Sequence, residues 1–229
     1  MKRIISVLGS VVLVLTSVVS SCDSVKNASN TQKGAVIGTV GGAVIGGIIG
    51  NNAGKGGKGA LGAVLGGVIG GVAGGVIGNQ MDKQAKAINQ ALPEADVQRV
   101  GEGIRLVLNE NAIRFDTNKS TLTPQAQQNL DKLVPILQEY PETNIQIFGY
   151  TDSTGTPDYN VALSQKRAET VRWYLVSKGV NSNRFATYGY GIADPIATNE
   201  TPEGRSQNRR VEFAITANEK MVQKAQNGN

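Results

Sequence analysis

The spacing of hydrophobic residues changes three times along this chain. Residues 4–19 form one nearly unbroken apolar run. Residues 34–78 interleave Val, Ile, Ala and Leu with glycine at every fourth position. From about Ile104 the periods become those of a folded α/β segment, near 2 for strands and near 3.6 for helices.

The last region predicts its elements in turn. Ile104 to Leu108 reads as a strand. Thr123-Pro124 supplies an N-cap and a proline at the first helical position, for a helix reaching about Tyr140 with a kink expected at Pro135. Asn144 to Tyr150 alternates, with Ile145 and Ile147 on one face. Pro157-Asp158 opens a second helix to Lys178, closed by Gly179. Arg184 to Tyr190 and Arg209 to Thr216 read as strands, with a short helix near Thr201. The order β-α-β-α-β-β predicts an α+β domain with helices on one face of a mixed sheet.

The glycine segment holds 19 of the 29 glycines. Gly34, 38, 42, 46 and 50 keep a four-residue step, and so do Gly62, 66, 70, 74 and 78. In water each interior glycine costs a helix about 0.5–1 kcal/mol relative to alanine. In a bilayer the backbone must satisfy itself, and a small-residue stripe lets helices approach closely. The uncharged stretches 34–50 and 60–78 would measure about 25–29 Å as helices, near a hydrocarbon core of about 30 Å. The reading is a glycine-zipper helical hairpin in the membrane, with self-association through the zipper; a flexible low-complexity spacer is the plainer alternative.

Met1-Lys2-Arg3 followed by the apolar run is a secretory signal peptide. It ends Val19-Ser20-Ser21-Cys22, which resembles a bacterial lipoprotein box, and Cys22 is the one cysteine of the chain. An acylated Cys22 would anchor the chain in membrane lipid. Outer-membrane placement facing the periplasm is expected; Asp23 resembles an inner-membrane retention signal and leaves that membrane as the alternative. The expected division is signal peptide 1–21, tether 22–33, glycine hairpin 34–78, linker 79–103, folded domain 104–217 and tail 218–229.

Composition narrows the chemistry. The net charge is +5, nearer +3 without Lys2 and Arg3, and no basic run is interleaved with aromatics, so nucleic acid is not an expected partner. There is no histidine, and one cysteine cannot make an internal disulfide or a thiolate metal site. Neither metal nor cofactor is expected. With no nucleophile, metal site or convincing carboxylate pair, an enzyme is the weakest reading.

The charges of the folded domain are more telling. On the second helix Arg167 and Asn160 fall in the arc of Ser164, Val171 and Leu175. Arg209 shares a strand face with Val211 and Phe213, and Thr151-Asp152 begins the loop after the second strand. A guanidinium among apolar neighbours requires a partner. The plain reading is an Asp152–Arg167 ion pair that holds the loop. Two arginines for one carboxylate, with Asn160 beside them and a short polar loop containing Gly155, favour a site for a doubly charged ligand.

The segments FDTNKSTLTPQAQQNLDKL, GYTDSTGTPDYNVALSQKRAETVRWYL, GVNSNRFATYGYG and GRSQNRRVEF resemble the C-terminal domain of the outer membrane protein A family. That domain is shared with the peptidoglycan-associated lipoprotein and the flagellar stator protein MotB. The resemblance covers about 104–217. It implies non-covalent binding of peptidoglycan through the diaminopimelate of its stem peptide. By position, Asp152 would take the ligand ammonium and Arg167 its carboxylate. Arg209 would hold a further carboxylate or carbonyl, Asn160 and Thr151 would add hydrogen bonds, and Asp116 would lie at the groove edge. Members often have His where this chain has Tyr150. The expected function is a lipid-anchored tether from membrane to cell wall. The alternative is a glycine-zipper assembly or pore that the wall-binding domain positions.

Overall fold

A computed structural model describes residues 64–65, 72–115 and 118–228. All of them belong to one compact unit, Ile49–Asn229. The first glycine stretch, Cys22 and Asp116 lie outside the described residues. No helix among the described residues is long and apolar enough to cross a membrane.

The chain runs α1 (Val72–Ala91), β1 (Asp96–Val100), β2 (Gly103–Leu108), α2 (Pro124–Glu139), β3 (Thr143–Gly149), α3 (Pro157–Ser177), β4 (Phe185–Gly189), α4 (Pro202–Asn208), β5 (Val211–Ala217) and α5 (Glu219–Asn227). The five strands form one mixed sheet in the order β1-β2-β5-β3-β4. β3 and β4 are parallel; the other neighbours are antiparallel. The expected α+β class, with helices on one face, is what forms. Thr123, Thr156 and Thr201 cap α2, α3 and α4, each accepting a backbone N–H and each followed by proline. α2 continues through Pro135.

The core follows from strand alternation. Ile104, Leu106 and Leu108 of β2, Ile145 and Ile147 of β3, and Phe213 and Ile215 of β5 are buried in one cluster with Leu130, Leu133, Val171 and Leu175 of the helices. The opposite face carries Phe148 and Tyr150, stacked on Tyr188 and Tyr190. Leu65 is buried there against Phe148, Tyr150 and Ala214. Gly103 makes room for it, since a Cβ at that position would come within 2.4 Å of the Leu65 side chain.

Three boundaries differ from the sequence reading. The stretch 79–103 is not a free tether. α1 starts inside the second glycine stretch; its Ile77, Met81 and Ile88, and Leu92 just after it, are buried in the domain core. β1 then pairs with β2 through the turn Gly101-Glu102, where Gly101 takes φ +57°, the left-handed region that favours glycine. The tail forms α5, with Met221 and Ala225 buried. The last strand begins at Val211, and Arg209 is the C-cap of α4.

Candidate functional site

Register brings three chain segments to one end of the sheet. Val211 opens β5 and pairs with Leu108 at the end of β2 and with Gly149 at the end of β3. Glu110 therefore follows β2, Asp152 follows β3 and Arg209 precedes β5, all at the same edge. α3 crosses β3 so closely that a Cβ on Gly149 would sit 2.1 Å from the Ser164 carbonyl oxygen. That approach delivers Asn160 and Arg167 to the same place.

Arg209 is held from two sides. Its Nη1 donates to Asp152 Oδ2 at 2.6 Å and its Nη2 to Glu110 Oε2 at 2.5 Å. Burial would raise the Asp152 carboxyl, but bonds from Arg209 and from Thr154, whose backbone N–H donates to Oδ1 at 2.8 Å, hold it below the usual range. Glu110 behaves alike: burial raises it, and Arg209 and Ser206 outweigh that. Burial likewise opposes the Arg209 charge, yet its two carboxylates make it hold its proton more tightly than usual.

Arg167 is buried, 6% exposed, and lacks such partners. Its Nε donates to the Lys119 carbonyl at 3.1 Å, and its guanidinium lies 5.0 Å from the Phe115 ring centroid. Burial, then the charge of Arg209, lowers its proton affinity. Among the described residues no carboxylate reaches ion-pair distance of it. The Asp152–Arg167 pair of the plainer reading does not form; Asp152 is paired with Arg209. Thr151 Oγ1 is buried with no hydrogen-bond partner, which leaves a donor and acceptor for a ligand. Asn160 Nδ2 donates one N–H to Thr154 O at 2.9 Å, which clamps the loop.

These groups line an open groove of about 930 Å³, which also takes in Arg114, Arg205, Phe115 and Leu163. Sequence reasoning passed over Glu110, Arg114 and Arg205. Asn208 is equally structural: its side chain bonds the backbone of Ile196 and Ala197 and fixes the loop behind the groove. Tyr150 faces away from the groove. It is buried under Arg210, whose guanidinium lies 3.7 Å from its ring centroid, and burial raises its phenol. Position 150 therefore shapes the outer sheet face, not the groove.

The mixed sheet with helices on one face and a polar groove at the end of its central strands is similar to an OmpA-like domain. Residues 114–209 match the OmpA family, and residues 1–82 match the YMGG-like Gly-zipper. The chain is 40% identical over 137 residues to probable lipoprotein YiaD of Escherichia coli, covering 59% of this chain and 63% of that protein. It is 47% identical over 106 residues to outer membrane protein A of Bordetella avium, 46% of this chain and 55% of that one. It is 42% identical over 103 residues to peptidoglycan-binding protein ArfA of Mycobacterium tuberculosis, 45% of this chain and 32% of that one. The matches thus span less than two thirds of these relatives' lengths. A MotB-like protein from Desulfovibrio vulgaris superposes with a TM-score of 0.56 at 23% identity, over 64% of this chain and 99% of that one, and shares the fold.

Proposed function

We propose that this chain binds peptidoglycan non-covalently through the diaminopimelate side chain of the stem peptide and, anchored by an acylated Cys22, ties an envelope membrane to the wall. The carrying observation is the split polarity of the groove. Asp152 and Glu110 stand at one pole, and Arg167, buried without a carboxylate partner among the described residues, stands at the other. A side chain ending in both an ammonium and a carboxylate fits the two poles. Arg167 offers a planar fork to the carboxylate. Asp152 keeps lone pairs for the ammonium, and Thr151 Oγ1 gains the partner it lacks. Arg209, its terminal nitrogens already shared with two carboxylates, keeps further N–H groups for a ligand carbonyl. The name of ArfA and the lipoprotein name of YiaD support the reading. No step of it calls for catalysis.

Co-sedimentation of the full chain in detergent with purified diaminopimelate-type sacculi tests this. A charge-assisted bond contributes about 1.5–3 kcal/mol, so Arg167→Ala and Asp152→Ala should each weaken binding roughly 10- to 150-fold. Wild-type sedimentation by both variants would refute the assignment.

A further inference from the structure

Asp152 and Arg209 alone sum to zero charge. A neutral pair attracts an arriving ammonium weakly, because the guanidinium repels what the carboxylate attracts. The third member changes the sum. Glu110 reaches Arg209 Nη2 at 2.5 Å on the side away from Nη1, so these three side chains sum to −1; Arg114, also on the groove, acts on Glu110 from outside that trio. Glu110 is set by the frame. Its turn is closed by the Ala112 and Ile113 N–H groups donating to Asn109 O, and the buried Asn129 Nδ2 donates to Ala112 O at 2.8 Å. Asp152 already has its own backbone support from Thr154, so Glu110 is not needed to orient it.

We propose that Glu110 is the specificity-determining residue of the groove: it turns a neutral Arg209–Asp152 pair into a negative pole, so the groove selects a ligand side chain ending in a free ammonium over its acylated form. The proposal rests on the peptidoglycan reading and sharpens it. Acylation of the diaminopimelate side-chain amine, the bond a wall cross-link makes, removes the positive charge and leaves the carboxylate. A groove with a net-negative pole therefore distinguishes unlinked stems from linked ones, while Arg167 holds the carboxylate of either.

The test is calorimetric titration of the full detergent-solubilised chain with a diaminopimelate-containing tripeptide, its side-chain amine either free or acetylated. Wild type should prefer the free amine by on the order of ten-fold or more. Glu110→Gln keeps an oxygen for Arg209 and should bring the two affinities within about three-fold, chiefly by weakening the free-amine peptide. Glu110→Asp, which keeps the charge, should retain the preference. So should Glu219→Gln, the same charge change beyond the far end of β5. An unchanged preference in Glu110→Gln, equal loss of both peptides in it, or a wild type indifferent to acetylation overturns the role of Glu110. A wild type that binds neither peptide overturns the peptidoglycan reading itself.

Discussion

Arg209 bridges two acids that meet water on one side, and this makes the groove sensitive to acid. Both carboxylates have lowered proton affinity in the fold. The stability they contribute is fully present above the normal carboxylate range and is lost as pH falls through their lowered values, below about pH 4. Denaturation midpoints measured against pH should show Glu110→Gln less stable than wild type near neutrality. The difference should close as the solution becomes strongly acid, and a constant gap down to pH 2 would contradict the ion-pair account. Thr151, Asp152 and Arg167 were legible in the sequence because each is a polar residue at a strand end or inside an apolar helix stripe. Glu110 was not. It sits in an Asn-Glu-Asn turn with no periodicity, and its partner is 99 positions away. Arg209 was assigned to the strand because its alternation with Val211 and Phe213 continues one residue pair past the point where α4 ends.

At the scale of elements, α1 and β1 carry more of the domain than their polarity suggests. Ile77, Met81, Ala85, Ile88 and Leu92 repeat at four, four, three and four residues, and all are buried. The stripe straddles the end of the glycine segment and the linker of the sequence reading, and its partner surface is not legible there, because the sheet it covers is assembled from strands further along the chain. Full burial of the four large side chains contributes about 6–12 kcal/mol as an upper figure. Gln84, fully buried on the same helix with neither amide atom bonded, offsets about 1–3 kcal/mol of it. Domain stabilities are about 5–15 kcal/mol, so these elements are not dispensable. A chain begun at residue 100 should unfold at markedly lower denaturant than one begun at residue 72. Equal midpoints would show that α1 contributes little. β1 escaped notice because DVQRV is a half-exposed edge strand whose charges mask the alternation.

For the whole molecule, the proposed function divides into a membrane-reaching part and a wall-binding part. The zipper and the folded domain overlap in sequence, since the glycine pattern to Gly78 runs into α1. A deletion meant to remove only the zipper has to stop short of Leu65. Removing 34–60 while keeping Cys22 should leave sacculus binding at the wild-type level, whereas removing 34–78 takes Ile77 and should cost binding through unfolding. Loss of binding in the shorter deletion would make the zipper part of the wall-binding function and favour the assembly reading. The domain itself was readable from 104 onward because caps, prolines and alternation agree there. Upstream, glycine spacing speaks equally for lipid and for a neighbouring helix face, and only the long-range contacts of Ile77 and Leu65 distinguish them.

The folding of 72–103 into the domain has a mechanical consequence. As a loose leash, residues 79–103 could have paid out about 80 Å of chain. Wound into a helix and stitched to the sheet edge, they offer almost none. With Leu65 also packed on the sheet, any span between an acylated Cys22 and the murein, on the proposed reading, would come from residues 22–63. If the chain is anchored and holds murein as proposed, every residue of that stretch committed to a bilayer would shorten the gap, making the protein a clasp with little give when the two layers are pulled apart.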